Sequence, residues 1–449
     1  MLFDLVKSMN NLFWGYLLIF LLAGTGIYFT FILKFVQVRR FFDSIKKAVG
    51  GASSSIGEEA GDKGMNSFQS LTTAIAAQVG TGNLAGAATA IVSGGPGAIF
   101  WMWITAFFGM STVFAEAVLA QMFKKEVNGK MRGGPAFYIK EGIKNKKLAK
   151  FLSGFFSISI IIALGFVGNM VQANSIGNAF KESFNLNPLI IGVIVAILAG
   201  LIFKGGVKSI ASFTEKVIPI MSVLYIIGAL IILFKNPTGT MEAFKLIFTC
   251  AFSPKAAAGG VLGVTVKQAV RYGVARGLFS NEAGMGSTPH AHAIAKVKHP
   301  CDQGLVAMFG VFFDTFVILT LTSLVIIANT PLGGGGLIGI ALTQHAFIAS
   351  LGSVGGVFIA VSLFFFAFST IVGWYFFGEA NIRFLFGSDK ATNVYTTIVL
   401  ICIVVGTSIE VPVIWELADF FNGLMIFPNL IAILLMSKLV KEKLEDYEK

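Results

Sequence analysis

Residues Gly277 to His292 read GLFSNEAGMGSTPHAH and interrupt an apolar run. Gly277, Gly284, Gly286 and Pro289 stand where a spanning helix should continue. A Gly costs a helix interior about 1 kcal/mol and a Pro about 3. Within a bilayer the freed N–H and C=O groups meet no water, so such a break survives only inside protein or beside a wet cavity. A second interruption, Gln78 to Gly86 (QVGTGNLAG), repeats the pattern Asn-x-Ala-Gly, at Asn83–Gly86 and again at Asn281–Gly284. The first N–H groups after a break favour an anion, and the last C=O groups before it favour a cation. Two breaks side by side therefore suit a zwitterion whose carboxylate and ammonium lie roughly 3–4 Å apart, which makes an amino acid the natural ligand class. The alternative is that the glycines only let helices pack closely.

Few other polar residues sit at membrane depth. Asn169 and Gln172 are three apart and share a helix face, and both can serve a small polar ligand or an interhelical hydrogen bond. Ser369 and Thr370 lie in LFFFAFSTIVGW, where their hydroxyls can ligate a small hard cation or bond back to the preceding turn. Trp374, one turn on, can wall the same cavity or simply pack. Ionisable groups inside spans cost roughly 2.5–3.5 kcal/mol each and need a partner or water. Glu116, Arg271, Glu282, Asp314 and Glu379 are such groups. Glu379 and Arg383 read as a local pair, and Asp314 is expected to pair with Lys267 or Arg271 rather than to assist a cation site. GTGNLAG follows no strand, so it is no phosphate loop. His290 and His292 are two apart, on different helix faces, and make poor metal ligands.

The elements that must position these residues are spanning helices. The chain has 449 residues, 55% of them hydrophobic and 13% charged, with 51 glycines, which is a polytopic membrane composition. Apolar runs predict spans near 11–36, 67–93, 97–123, 151–180, 187–203, 213–234, 257–295 (broken), 303–328, 352–386, 393–408 and 413–438. Shorter apolar pieces near Thr240–Phe252 and Ile338–Leu351 are expected to lie on the outer face. The first run is too long for a signal-peptide core. Basic residues crowd alternate loops: Arg39 to Lys63, nine between Lys124 and Lys150, and Lys438 to Lys443 in the tail. The opposite loops carry only Lys7, Lys181, Lys235, Lys245 and Lys255. The N-terminus is thus expected outside and the C-terminus in the cytoplasm. Membrane orientation explains the net charge of +11, and nucleic-acid binding is set aside. Cys250, Cys301 and Cys402 form no metal or disulfide pattern. The broken spans are the second and seventh, five apart, so spans two to six and seven to eleven form a candidate 5+5 inverted repeat (67–234 and 257–438) with 11–36 as an extra span. No hydrolase, metalloprotease or Walker signature is present, and secondary transport follows.

TGNLAGAATAI (81–91), GGPGAIFWMW (94–103), RGGPAFYI (132–139) and GLFSNEAGMGSTPHAHA (277–293) resemble the alanine/glycine–cation symporter family, across nearly the whole chain. That resemblance implies sodium coupling and an all-α, leucine-transporter (LeuT) fold. It implies that Val79-Gly80-Thr81-Gly82-Asn83 is the first break, with Asn83 at a possible second sodium and Gln78 beside the ion and substrate. Carbonyls at Ala76 and Val79, with Phe366, Ser369 and Thr370, would form the main sodium site. Phe279-Ser280 would hold the substrate ammonium and close the outer gate. Gly284-Met285-Gly286 would line the pocket, whose walls are Met285, Phe279, Trp374, Asn169 and Gln172, next to Asn281. Asn281 and Glu282 depart from the wider pattern of the fold.

The expected function is import of small neutral amino acids, alanine or glycine, with sodium by alternating access. The partners are that substrate, sodium and the bilayer of the plasma membrane, with no organic cofactor and no obligatory protein partner. A proton-coupled transporter or exchanger of the same fold, and an intramembrane enzyme or sensor, stand as alternatives.

Overall fold

The computed structural model describes residues 2–54, 64–127, 130–253, 265–409 and 411–449. The first part of the predicted broken span, 257–264, and the loop residues Lys63 and Lys255 lie outside them. The described chain is helical apart from one antiparallel hairpin, Lys125–Val127 with Lys130–Arg132, and an isolated bridge between Met65 and Ala295.

Eight described helices are long and apolar enough to cross a membrane: Asp4–Ile32, Gly97–Met122, Lys146–Phe184, Gly206–Lys235, Pro300–Asn329, Ser353–Phe386, Asp389–Gly406 and Val413–Leu435. The pair Ser67–Gln78 and Gly82–Gly94, bent by 45°, makes a ninth if counted as one span. Pro188–Lys204 and Gly339–Leu351 are shorter apolar helices. Predicted boundaries shift at several ends. The fourth helix runs to both sides of 151–180, because Asn145 caps it early through Lys147 and Leu148 N–H. The sixth starts at Gly206 rather than 213. The helices Phe41–Ser54 and Ser437–Tyr447 and the hairpin were not expected from apolar runs, since all are charged.

Both broken helices open on capping boxes. Asn66 accepts from Gln69 N–H while the Gln69 side chain accepts from Asn66 N–H, and Thr265 and Gln268 do the same. The first helix stops at Val79, whose ψ of 89° leaves the helical region. The second stops at Glu282 (φ 58°), followed by Gly284 (φ 82°) and Gly286 (φ 79°). A left-handed conformation is cheap for glycine and costly for Glu. Pro289 restarts the helix at its first turn, where its missing N–H costs nothing.

The second broken helix packs tightly on Gly97–Met122. A Cβ on Gly273 would come 2.5 Å from the Ala98 carbonyl, and one on Gly109 would come 2.8 Å from Ala283. Large apolar side chains on the rim, such as Phe20, Leu201 and Phe234, are exposed and suit lipid tails. Trp374, Tyr225 and Phe366 are buried at the centre.

Candidate substrate and ion site

The break of the first broken helix touches the last helical turn of the second. Gly82 begins the second half of the first, and a Cβ there would lie 2.9 Å from Ser280 Cα, the backbone of the other. Gln78 Nε2 donates to the Asn281 carbonyl at 2.8 Å and ties the two together. The break at Val79–Thr81 satisfies its backbone through neutral side chains. Gly80 N–H donates to Asn83 Oδ1 (3.1 Å), and Thr81 N–H to Gln172 Oε1 (3.2 Å). A Cβ on Gly80 would strike Thr370 Oγ1 and come within 3.2 Å of Gln172 Oε1, so only glycine fits.

Helix Ser353–Phe386 meets the break through its paired hydroxyls. Thr370 Oγ1 donates to the Ala76 carbonyl (2.8 Å) and lies 3.0 Å from that of Phe366, and Ser369 Oγ donates to Phe366 (2.8 Å). Hard oxygens from Ala76, Phe366, Ser369 and Thr370 thus converge between two helices, the donor chemistry a sodium ion takes. Val79 caps the same helix end as Ala76.

Among the described residues, the buried Thr81 Oγ1 at the first break and Asn169 Oδ1 near it find no hydrogen-bond partner. Asn169 donates its amide to Gly165 O of its own helix, which leaves its carbonyl free, one turn before Gln172. Unfilled acceptors beside a break are where a ligand's donors go, because native interiors rarely leave them empty. Gln78 Oε1 is also unpaired but faces Gly310.

Asp314 departs from expectation. It pairs with neither Lys267, which reaches Tyr16 Oη (2.6 Å), nor Arg271, which reaches Asn11 Oδ1 (2.8 Å). Both basic groups sit in the first turns of their helix, near the surface. Asp314 is buried and accepts from Asn83 Nδ2 (2.7 Å), Ser280 Oγ (3.1 Å to each oxygen) and Thr315 Oγ1 (2.8 Å). Asn281 Nδ2 donates to Thr315 Oγ1 at 3.2 Å. The carboxyl thereby joins both broken helices, and its described hydrogen-bond partners are all neutral. Asn83 and Asp314 both lie in π-helical turns, Gly82–Gly86 and Phe313–Leu319, which swing a side chain off the regular helical face.

The second break is held differently. Glu116 of helix Gly97–Met122 accepts from Gly284 N–H (3.2 Å), Gly286 N–H (3.0 Å) and Asn429 Nδ2 (2.5 Å). Asn429 also donates to Gly284 O (2.9 Å) and accepts from Tyr138 Oη (2.5 Å). Glu282 accepts from Trp374 Nε1 and Ser287 Oγ, both at 2.5 Å. Gly284 therefore faces Glu116, Leu22, Leu430 and Thr112 rather than the first break. Met285 is buried beside it.

Phe279 closes one side of the crossing, with its ring 6.1 Å from Trp374 and 5.0 Å from Trp415. One turn back, Arg276 forms a bidentate pair with Asp419 (2.9 and 2.7 Å). A cavity of ≈ 520 Å³, lined in part by Arg276, Trp415, Asn174 and Gln344, opens above them.

The structure thus assembles Ala76, Gln78, Gly80, Thr81, Gly82, Asn83, Gln172, Phe279, Ser280, Asn281, Phe366, Ser369 and Thr370 around one crossing. Asn169 and Trp374 border it, since Trp374 packs on Gly168. Glu379 and Arg383 pair as expected (2.6 Å). Tyr138, Asn429, Arg276, Asp419 and Trp415 escaped the sequence reading. The opposite charges of Arg276 and Asp419 were visible, but 143 residues separate them.

A family model described as "Sodium:alanine symporter family" matches residues 1–449. A probable sodium/glutamine symporter, GlnT, of Bacillus subtilis is 44% identical over 444 residues, covering 99% of this chain and 90% of that protein. The sodium/alanine symporter AgcS of Methanococcus maripaludis is 42% identical over 441 residues, covering 97% and 95%. Among solved structures, MhsT in complex with L-phenylalanine superposes with a TM-score of 0.59 at 15% identity, covering 86% of this chain and 98% of that one.

Proposed function

We propose, for a chain that belongs to the sodium:alanine symporter family and shares the fold of MhsT, that it imports alanine or glycine together with sodium. Family and fold are those of transporters, not enzymes, and sodium is the coupling ion of the family. The observation that carries the reading is the crossing of the first break at Gly82 with the last turn of the second broken helix at Ser280, near the unpartnered Thr81 hydroxyl and Asn169 carbonyl. There the free acceptors take the substrate ammonium, and the N–H groups that start the helix after Thr81 take its carboxylate. Phe279, Trp374, Asn169 and Gln172 wall the side chain. Their bulk leaves room for little beyond a Cβ.

Sodium is a co-substrate at Ala76, Val79, Phe366, Ser369 and Thr370. Each site oxygen has lone pairs to turn to it. A second sodium sits at Asn83, Asp314 and Ser280. A carboxylate with only neutral donors inside a membrane is costly unless a cation joins it. Both sites bridge a broken helix to a neighbour, so occupancy biases the alternating-access equilibrium only when substrate shares the gap. One charge across 100 mV supplies ~2.3 kcal/mol, and a tenfold ion gradient ~1.4. Together these support a factor of roughly several hundred in accumulation for each sodium carried.

The 5+5 inverted repeat comprises 67–234 and 257–438, after an extra span at 11–36. The protein lies in the plasma membrane with its N-terminus outside, as the asymmetry of the basic loops favours. The test is radiolabelled alanine uptake into proteoliposomes with sodium, potassium or proton gradients imposed separately, and with glycine, serine, glutamine and leucine as competitors. A sodium gradient alone should drive accumulation that glycine blocks. Uptake driven by protons alone, or blocked equally by glutamine or leucine, overturns the coupling or the size assignment.

A further inference from the structure

The hairpin Lys125–Val127/Lys130–Arg132 is absorbed by none of this chemistry, yet it closes two adjoining cavities on the lysine-rich face. One, of ≈ 320 Å³, is lined by Lys125, Lys130, Arg132, Lys140 and Arg383, against Glu141 and Asp389. The other, of ≈ 490 Å³, shares Lys130, Arg132 and Arg383 and adds Lys204, Thr392, Asn393 and Glu379. Six basic and three acidic side chains line the pair. Each acid already has a basic neighbour, although the buried Glu379 Oε2 finds no hydrogen-bond partner among the described residues. Glu141 pairs with Lys125 (2.9 Å), and Glu379 and Asp389 with Arg383 (2.6 and 2.7 Å). Among the described residues Lys130, Lys140 and Lys204 form no ion pair, and the Lys140 ammonium lies over the Phe384 ring at 5.1 Å.

Arg132 makes the stronger point. It is 4% exposed, which is rare for an arginine. Among the described residues its one ion pair, to Glu379, is long at 3.8 Å, and its Nη1 has no hydrogen-bond partner. A buried guanidinium with an idle donor costs free energy unless an acceptor reaches it. Guanidinium geometry matches the paired oxygens of a phosphate.

The surroundings identify the source. The second cavity sits between the ends of Pro188–Lys204 and Asp389–Gly406. On the same helices the apolar side chains of Leu201, Val394, Ile398 and Ile401 are exposed. They offer an acyl-chain surface directly beside the basic cavity. We propose that these cavities bind the phosphate headgroup of an anionic phospholipid, with Arg132, Lys130, Lys140 and Lys204 as its ligands. Basic pockets between spanning helices are where such headgroups settle. A bound headgroup would brace the hairpin against the end of Ser353–Phe386, the helix that carries Ser369 and Thr370.

The test is native mass spectrometry of the full chain, carrying an equimolar mixture of phosphatidylglycerol and phosphatidylcholine. Lys130→Gln/Lys140→Gln is the probing variant, since both side chains are exposed and their loss leaves the fold intact. Lys144→Gln/Lys150→Gln, on the same face but outside the cavities, is the control. Wild type and control should retain phosphatidylglycerol roughly tenfold over phosphatidylcholine, and the probing variant should lose that preference. A parallel thermal-shift arm offers millimolar glycerol 3-phosphate. If it stabilises wild type but not the variant, the phosphate site stands and soluble esters can fill it. If it stabilises neither while lipid preference holds, the lipid is the ligand. Equal phosphatidylglycerol retention in wild type and probing variant, or equal loss in the control, overturns the proposal.

Discussion

The two helix breaks solve one problem by opposite means. At Val79–Thr81 the freed backbone groups meet neutral amides and a hydroxyl, from Asn83, Gln172 and Thr370, and polar atoms remain unfilled beside them. At Glu282–Thr288 a carboxylate takes two of the freed N–H groups, and Asn429 takes up the carbonyl between them. Neutral partners can exchange with a ligand at little cost. A buried carboxylate holding three donors is a fixed bolt. The first break therefore holds cargo, and the second is held by the protein. From the second broken helix, cargo meets only its last helical turn, Phe279 to Asn281.

The sharpest way to break this contrast is at the crossing. Gly82→Ala places a methyl 2.9 Å from the Ser280 backbone, where no flexible side chain can yield. The helices must move apart by a good fraction of an ångström, and misplacement on that scale costs about a hundredfold in rate. Alanine uptake should fall at least that far while the protein still inserts and purifies. Wild-type uptake would mean that cargo binds elsewhere and that the crossing is mere packing.

The second test separates ion from substrate at the first break. Ser369→Ala with Thr370→Ala removes two hard oxygens and the clamp on Ala76. Half-saturating sodium should rise roughly tenfold or more, at about 1.5–3 kcal/mol for a hydrogen bond or ligand to a charged group. Alanine affinity at saturating sodium should change much less. Sodium titrations of uptake in proteoliposomes decide it, and an unmoved sodium dependence removes both hydroxyls from the ion site.

How far the sequence could carry this contrast depends on which residues announce themselves locally. Glycines and a proline inside an apolar run are out of place wherever the chain goes, so both breaks were legible. So were Ser369 and Thr370, two hydroxyls among phenylalanines. Asp314 was visible as an oddity, but its partners were not. Ser280 lies 34 residues away and Asn83 lies 231 away, and no local pattern joins them. The expected pairing with Lys267 or Arg271 failed because both sit at the far end of the helix that carries Ser280. Glu116 was likewise flagged without a partner, since two of its partners are backbone N–H groups that carry no sequence signature and the third, Asn429, lies 313 residues away. The hairpin had a local signal that the apolar runs hid: Asn-Gly, at 128–129, is a dipeptide that favours tight hairpin turns.

The smallest expected effect tests the bolt. All three groups that meet Glu116 are donors: Gly284 N–H, Gly286 N–H and the Asn429 amide. Glu116→Gln keeps the shape but turns one acceptor into a donor that faces a donor. One N–H of the second break then stays unpaired in a buried site, at a cost of about 1–3 kcal/mol. That is a large fraction of a marginal stability, so thermal unfolding in detergent should shift down by several degrees. Because the partners of Glu116 lie away from the crossing, alanine and sodium affinities should stay within about threefold, less than a single lost hydrogen bond would move them. The comparison with Gly82→Ala is then a double dissociation: the first break loses transport and keeps stability, the second loses stability and keeps binding. If Glu116→Gln instead abolishes alanine binding with no thermal shift, the second break also holds cargo, and the division of labour between the two is wrong.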